Sequence, residues 1–200
     1  MDRYQECPHV APSVGSTQYI GDPDLVMLRE DLADEMGAIV GYRECAAEIK
    51  DHRLSRQFRE VANDEVGHFI RLMRMIAMLD PIQAEELRKQ NLIFLTGSAE
   101  PAYPLGVQSP AYHKQHKAGN EEERNYASEP KKHYFLDERV WECLRNAIRD
   151  ELHAIDAYQK QIQAAVNPNV NVLLTTIMNK EKEHVAEFTR LFFELQHSTT

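Results

Sequence analysis

The chain has no apolar run near the roughly 20 residues that a membrane-spanning helix needs, so nothing in it is expected to cross or bind a membrane. It is also short of positive charge. Lys and Arg total 23 against 32 Asp and Glu, a formal net charge of −9. A negative field repels phosphate backbones, so a nucleic-acid partner is not expected either. Glycine and proline, 8 and 9 in 200 residues, are too sparse for a fibrous or low-complexity protein. Three cysteines, Cys7, Cys45 and Cys143, form no C-x-x-C pair, which removes the zinc knuckle and the rubredoxin type of iron site. Odd in number and widely spaced, they read as free thiols in a reducing cytoplasm, with Cys45 and Cys143 as small buried fillers. The first ten residues are polar and contain no secretory h-region. No segment alternates as a half-buried strand does.

What is present is helical periodicity. Residues 1–23, with Pro8, Pro12, Gly15, Gly21 and Pro23, read as an irregular arm. A helix capped by Asp22 or Asp24 then begins near Leu25, with apolar or small residues at 25, 28, 32, 39, 42, 46 and 49. A second follows Asp51 and runs to Leu79, where Asp80-Pro81 stops it, and a short helix is expected over 82–91. Residues 96–136 hold four prolines and an acidic run, and read as a long crossover with a short helix near 111–118. His113 and His116 in it read as solvated. A third long helix is expected over 137–166, with Trp141, Leu144, Ile148, Ile155, Tyr158 and Ile162 inward. Asn167-Pro168 starts a fourth, which runs to Leu195. Gly37 and Gly41 form a G-x-x-x-G that predicts close approach of another helix. The expected organisation is one all-α domain over 1–200: arm 1–23, first hairpin 24–80, short helix and crossover 81–136, second hairpin 137–196.

The halves repeat at an offset of 116. Leu28-Arg29 matches Leu144-Arg145, Asp34-Glu35 matches Asp150-Glu151, and Tyr42 matches Tyr158. Glu65 matches Glu181 and His68 matches His184. Each long helix therefore carries an acid where its apolar stripe calls for a core side chain: Glu35, Glu65, Glu151 and Glu181. His68 and His184 lie three residues after their Glu, on the same helix face. Burying an ionised carboxylate costs several kcal/mol unless it is compensated. Four carboxylates and two divalent cations balance at zero, and the two imidazoles give each metal one nitrogen. Glu35 to Glu65 and Glu151 to Glu181 are both 30 residues, which returns the second helix of each hairpin to the depth of the first. E-x-x-H alone is weak, since composition places about one in such a chain by chance. The pairs at Glu6 and Glu194 have no matching acid upstream. Those at Glu65 and Glu181 fall in register with the repeat.

With Glu35, Glu65-Val-Gly-His68, Glu151-Leu-His-Ala-Ile-Asp-Ala-Tyr158 and Glu181-Lys-Glu-His184, the sequence resembles the ferritin-like superfamily. Within it the sequence is most similar to the rubrerythrin-like di-iron carboxylate proteins. The resemblance covers about 24–80 and 137–196. It implies a ferritin-like four-helix bundle of two repeated hairpins holding two iron ions, or two manganese or a mixed pair. Glu65 and Glu181 would bridge or chelate, and Glu35 and Glu151 would be terminal. The implied activity is a non-haem di-metal oxidoreductase acting on peroxide or O2, with an external electron donor. Alternatives are a dimanganese catalase-like activity, a ferroxidase or iron-handling protein, and a bundle in which the metals are only structural. A homodimer is expected, as such bundles commonly pair. Full-length rubrerythrins also carry a rubredoxin domain, absent here, and a further carboxylate one turn after the third-helix Glu, where Ala154 stands. Tyr42 and Tyr158, two turns beyond Glu35 and Glu151, read either as core aromatics or as hydroxyl donors to a ligand carboxylate.

Overall fold

The computed structural model describes residues 21–97 and 138–198. These residues form five α-helices and one 3-10 turn, with no strand among them. Helices α1 (Pro23–Glu48) and α2 (His52–Leu79) make the first hairpin, and α4 (Glu138–Ala164) and α5 (Pro168–Ser198) the second. Short α3 (Pro81–Lys89) and the turn at Ile93–Leu95 follow α2. The architecture is the expected all-α four-helix bundle. The expected helix near 111–118 and the residues His113 and His116 lie outside the described residues.

Local chemistry sets the helix ends. Asp22 caps α1 through the Asp24 N–H, with Pro23 supplying the fixed φ of the first turn. Asp51 accepts from the Arg53 and Leu54 N–H groups at the start of α2. Asp80 ends α2, then accepts from Ile82 and Gln83 to start α3, and also binds Arg29 at 2.7 Å. Asn167 accepts from the Asn169 N–H at the start of α5. Asp24 does a different job. Buried, it accepts from the Val166 and Asn167 N–H groups at 3.0 and 2.7 Å, pinning the α4–α5 loop to the start of α1.

Apolar packing falls in two layers along the bundle. One contains Tyr42, Leu54, Phe58, Leu144, Phe188 and Leu191. The other contains Leu25, Leu28, Leu72, Tyr158, Leu174 and Ile177. Each fully buried large side chain contributes about 1.5–3 kcal/mol. A smaller cluster seats α3 and Leu95 on the outer face of α2, where Arg74 donates twice to the Phe94 carbonyl. Between the two main layers, every helix of the bundle turns an acid inward.

Three expectations need correction. Cys45 and Cys143 are joined by a disulfide, with Cα atoms 5.9 Å apart, and tie α1 to α4. Spacing alone could not pair them, because they are 98 positions apart in sequence, with the crossover between them. Among the described residues, the G-x-x-x-G at Gly37 and Gly41 receives no neighbouring helix: a Cβ at either would meet nothing within 4 Å. Both glycines instead line a cleft between α1 and α4. Finally, the buried stripe of α4 is centred on Val140, Cys143, Leu144, Ala147, Glu151 and Tyr158. Trp141 and Ile148 sit half-buried at its edge, Trp141 edge-on to Phe192 with ring centroids 5.4 Å apart.

Candidate metal centre

Glu35 on α1, Glu65 and His68 on α2, Glu151 on α4, and Glu181 and His184 on α5 converge in one cluster. All six are at most 4% exposed. The three-residue spacing of each Glu-x-x-His presents both groups to the bundle axis, and the imidazole ring centroids are 6.0 Å apart. His68 Nδ1 lies 2.7 Å from Glu65 Oε2, 3.0 Å from Glu181 Oε1 and 3.6 Å from Glu35 Oε1. His184 Nδ1 lies 2.9 Å from Glu181 Oε2, 3.0 Å from Glu65 Oε1 and 3.5 Å from Glu151 Oε1. Two four-donor groups result, Glu35–Glu65–His68–Glu181 and Glu65–Glu151–Glu181–His184. The donors of each lie within 4.8 Å of one another. Glu65 and Glu181 belong to both, each turning one oxygen toward each imidazole. The donor set of hard oxygens with one nitrogen per group suits a pair of divalent cations. Among the described residues, buried Glu65 Oε1 and Glu181 Oε1 have no well-aligned hydrogen-bond donor and face only an imidazole Nδ1 at 3.0 Å, a position from which each can reach an ion.

Burial and close opposite charges compete at every member of the cluster. Burial pushes the Glu35 and Glu151 carboxyls up to about 8, against the pull of the neighbouring imidazoles. Burial also raises Glu65 and Glu181, but the imidazole charges outweigh it and hold both low. His68 and His184 are driven well above the usual imidazole range by the carboxylates around them, despite burial. Without metal, these directions favour protons on both imidazoles and on the Glu35 and Glu151 carboxyls near neutral pH. Protons do the neutralising that two dications would do.

The tyrosines satisfy both readings. Tyr42 and Tyr158 are buried, and each donates its hydroxyl across the bundle to the other hairpin. Tyr42 reaches Glu151 Oε1 at 2.7 Å and Tyr158 reaches Glu35 Oε1 at 2.6 Å. The reciprocity is the repeat expressed in three dimensions. Burial first, then the carboxylate facing each hydroxyl, raises both phenols far above their ordinary value, so they remain donors.

One residue breaks the repeat. Asp64 Oδ2 lies 3.4 Å from His184 Nε2 and 3.2 Å from Lys180 Nζ. At the offset of 116, Asp64 corresponds to Lys180, which offers His68 no acceptor. A carboxylate on the far ring nitrogen fixes the tautomer and raises the basicity of a metal-facing imidazole. Asp64→Ala is expected to weaken one of two metal positions by about 10- to 100-fold, with Asp64→Asn, still an acceptor, weakened less. Competition titration against a chromophoric chelator resolves the two positions. Equal weakening of both would contradict the assignment. Sequence reading missed Asp64, though the mismatch at 64 and 180 was its visible sign.

The α1–α4 cleft has a volume of about 630 Å³ and reaches the cluster, with Glu35, Glu65, Glu151 and Glu181 in its lining. Its walls combine small residues, among them Gly37, Gly41, Ala147 and Ala154, with charged ones such as Asp34, Glu44, Arg139 and Asp150. The position where rubrerythrins carry a further carboxylate therefore gives open space here. Among the described residues, no helix is long and apolar enough to cross a membrane.

No protein-family model and no curated protein matches the sequence. Among solved structures, the chain is similar to the wild-type form of KatB, a manganese catalase from Anabaena. Identity is 16%, the match covers 100% of this chain and 83% of that one, and the TM-score is 0.52. The likeness is one of fold, and it agrees with a ferritin-like bundle rather than with the rubrerythrin branch in particular.

Proposed function

We propose that the protein is a di-metal oxidoreductase acting on hydrogen peroxide, with Glu35, Glu65, His68, Glu151, Glu181 and His184 as the ligands of two ions. The observation that carries this reading is the sharing of Glu65 and Glu181 between two buried donor groups. The metals, iron or manganese, would supply two-electron redox chemistry at the cluster. The chain supplies the rest. Glu35 and Glu151 complete the two ends, Tyr42 and Tyr158 hold those carboxylates in place, and the cleft admits a small substrate between α1 and α4. Apolar layers lie above and below the cluster and keep its surroundings poor in water. O2 would enter by the same route.

The likeness to a manganese catalase supports a second reading, disproportionation of peroxide without any reductant. Protein loaded anaerobically with iron or with manganese distinguishes these. Two ions per chain with peroxide loss only in the presence of an electron donor supports the first reading. Loss without a donor supports the catalase. Iron taken up far beyond two per chain would mean storage, and two firmly held ions with no peroxide loss would mean a structural role.

A further inference from the structure

The Cys45–Cys143 disulfide is not part of the proposed ligand set, yet it lies on the same cleft. Cys45 is one turn after Tyr42, whose hydroxyl binds Glu151. Cys143 is two turns before Glu151 on α4, about 12 Å along the helix at 1.5 Å per residue. Both sulfur-bearing residues line the cleft together with Glu35, Glu65, Glu151 and Glu181. Cys143 is 1% exposed and Cys45 is half-buried, so the pair has one shielded and one approachable partner. Among the described residues, Gly37 and Gly41 on this α1–α4 seam meet no opposing atom.

We infer that Cys45 and Cys143 form a reversible dithiol–disulfide couple that supplies the two electrons for peroxide reduction at the adjacent cluster. This rests on the peroxide reading above. The balance closes: hydrogen peroxide and two thiols give two waters and one disulfide. The O–O bond breaks, the S–S bond forms, the two sulfurs together lose two electrons, and the two thiol protons leave in the waters. A small dithiol or another low-molecular-weight thiol then restores the pair by exchange at Cys45, itself becoming the disulfide.

The test uses metal-loaded protein in a Cys7→Ser background, so that only this pair is counted. After reduction with dithiothreitol and its removal, two thiols per chain should be found. One equivalent of hydrogen peroxide is then added anaerobically, the reaction is quenched with an alkylating agent, and peptides are read by mass spectrometry. Both thiols should be lost to the 45–143 linked peptide. The metal-free protein should react at least about 100-fold more slowly, since bound metal contributes several kcal/mol to such a step. With excess dithiothreitol, Cys45→Ser should keep two ions per chain and lose dithiol-dependent peroxide turnover. If that variant fails to fold, the thiol count on the Cys7→Ser protein still decides. Rapid peroxide loss with both thiols intact overturns the inference and leaves the catalase reading standing. Equal thiol oxidation with and without metal overturns it as direct thiol chemistry, and so does a disulfide that native protein will not give up to dithiothreitol. No peroxide loss beyond the metal-free rate overturns the proposed function, and the inference with it.

Discussion

Glu65→Ala protein, loaded as wild type is, is expected to lose affinity at both metal positions, whereas His68→Ala should lose it mainly at one. Glu65 turns Oε2 toward His68 and Oε1 toward His184, so its removal takes an oxygen from each donor group. It also takes one negative charge from a site that is neutral with two dications, and an uncompensated buried charge is costly. Loss of a single supporting contact weakens metal binding about 10- to 100-fold, so loss of a direct shared ligand should exceed about 100-fold at each position. His68 belongs to one group only, and Glu65, Glu151, Glu181 and His184 still form the other. The repeat makes the same claim for Glu181→Ala and His184→Ala. Metal stoichiometry after gel filtration, with helicity checked by circular dichroism, reads all four variants. Two ions per chain retained in Glu65→Ala and Glu181→Ala would refute the bridging role without touching the fold.

The bundle and its cluster were legible because both rest on period. The positions 25, 28, 35, 39, 42 and 46 are buried along α1, and 174, 177, 181, 184, 188, 191 and 195 along α5. An acid in such a stripe is anomalous by its place alone, and the 116-residue repeat showed the anomaly twice. The residues that were not legible act across the repeat rather than within it. Cys45 and Cys143 have no counterparts at 161 and 27, where Gln161 and Met27 stand, so no periodic signal links them. Asp64 acts on the other hairpin's histidine, and only folding brings them together. Gly37 and Gly41 carry the spacing of a helix contact, but a small residue opens a cleft as readily as it admits a neighbour. Which of these occurs depends on where α4 lies, and α4 follows α1 in sequence only after α2 and α3.

Metal removal should lower the melting temperature, and the loss should grow with pH. Binding to the folded state alone adds RT ln(1 + [L]/Kd), about 4 kcal/mol per ion at a thousandfold excess over Kd. For a chain of this size each kcal/mol moves Tm by about 2–4 °C, so each ion should contribute roughly 10 °C. The pH dependence follows from the metal-free cluster. Glu35 and Glu151 rise from 4.5 to about 8 on folding, so between these values the folded state holds more protons than the unfolded chain. Stability therefore falls as pH rises through that window. His68 and His184, also raised, act with the same sign and lose their contribution above their folded values. Glu65 and Glu181, lowered, contribute above the unfolded 4.5 and change nothing across the window. Metal-free protein should thus melt progressively lower from about pH 5 to pH 8. Metal displaces the same protons, so its apparent affinity rises over that range and loaded protein should hold its Tm. Scanning calorimetry of chelated and reloaded protein at pH 5.5, 7 and 8.5 measures the gap directly. A gap that is absent after verified removal, or that narrows as pH rises, would mean that metal does not sit among these buried carboxylates.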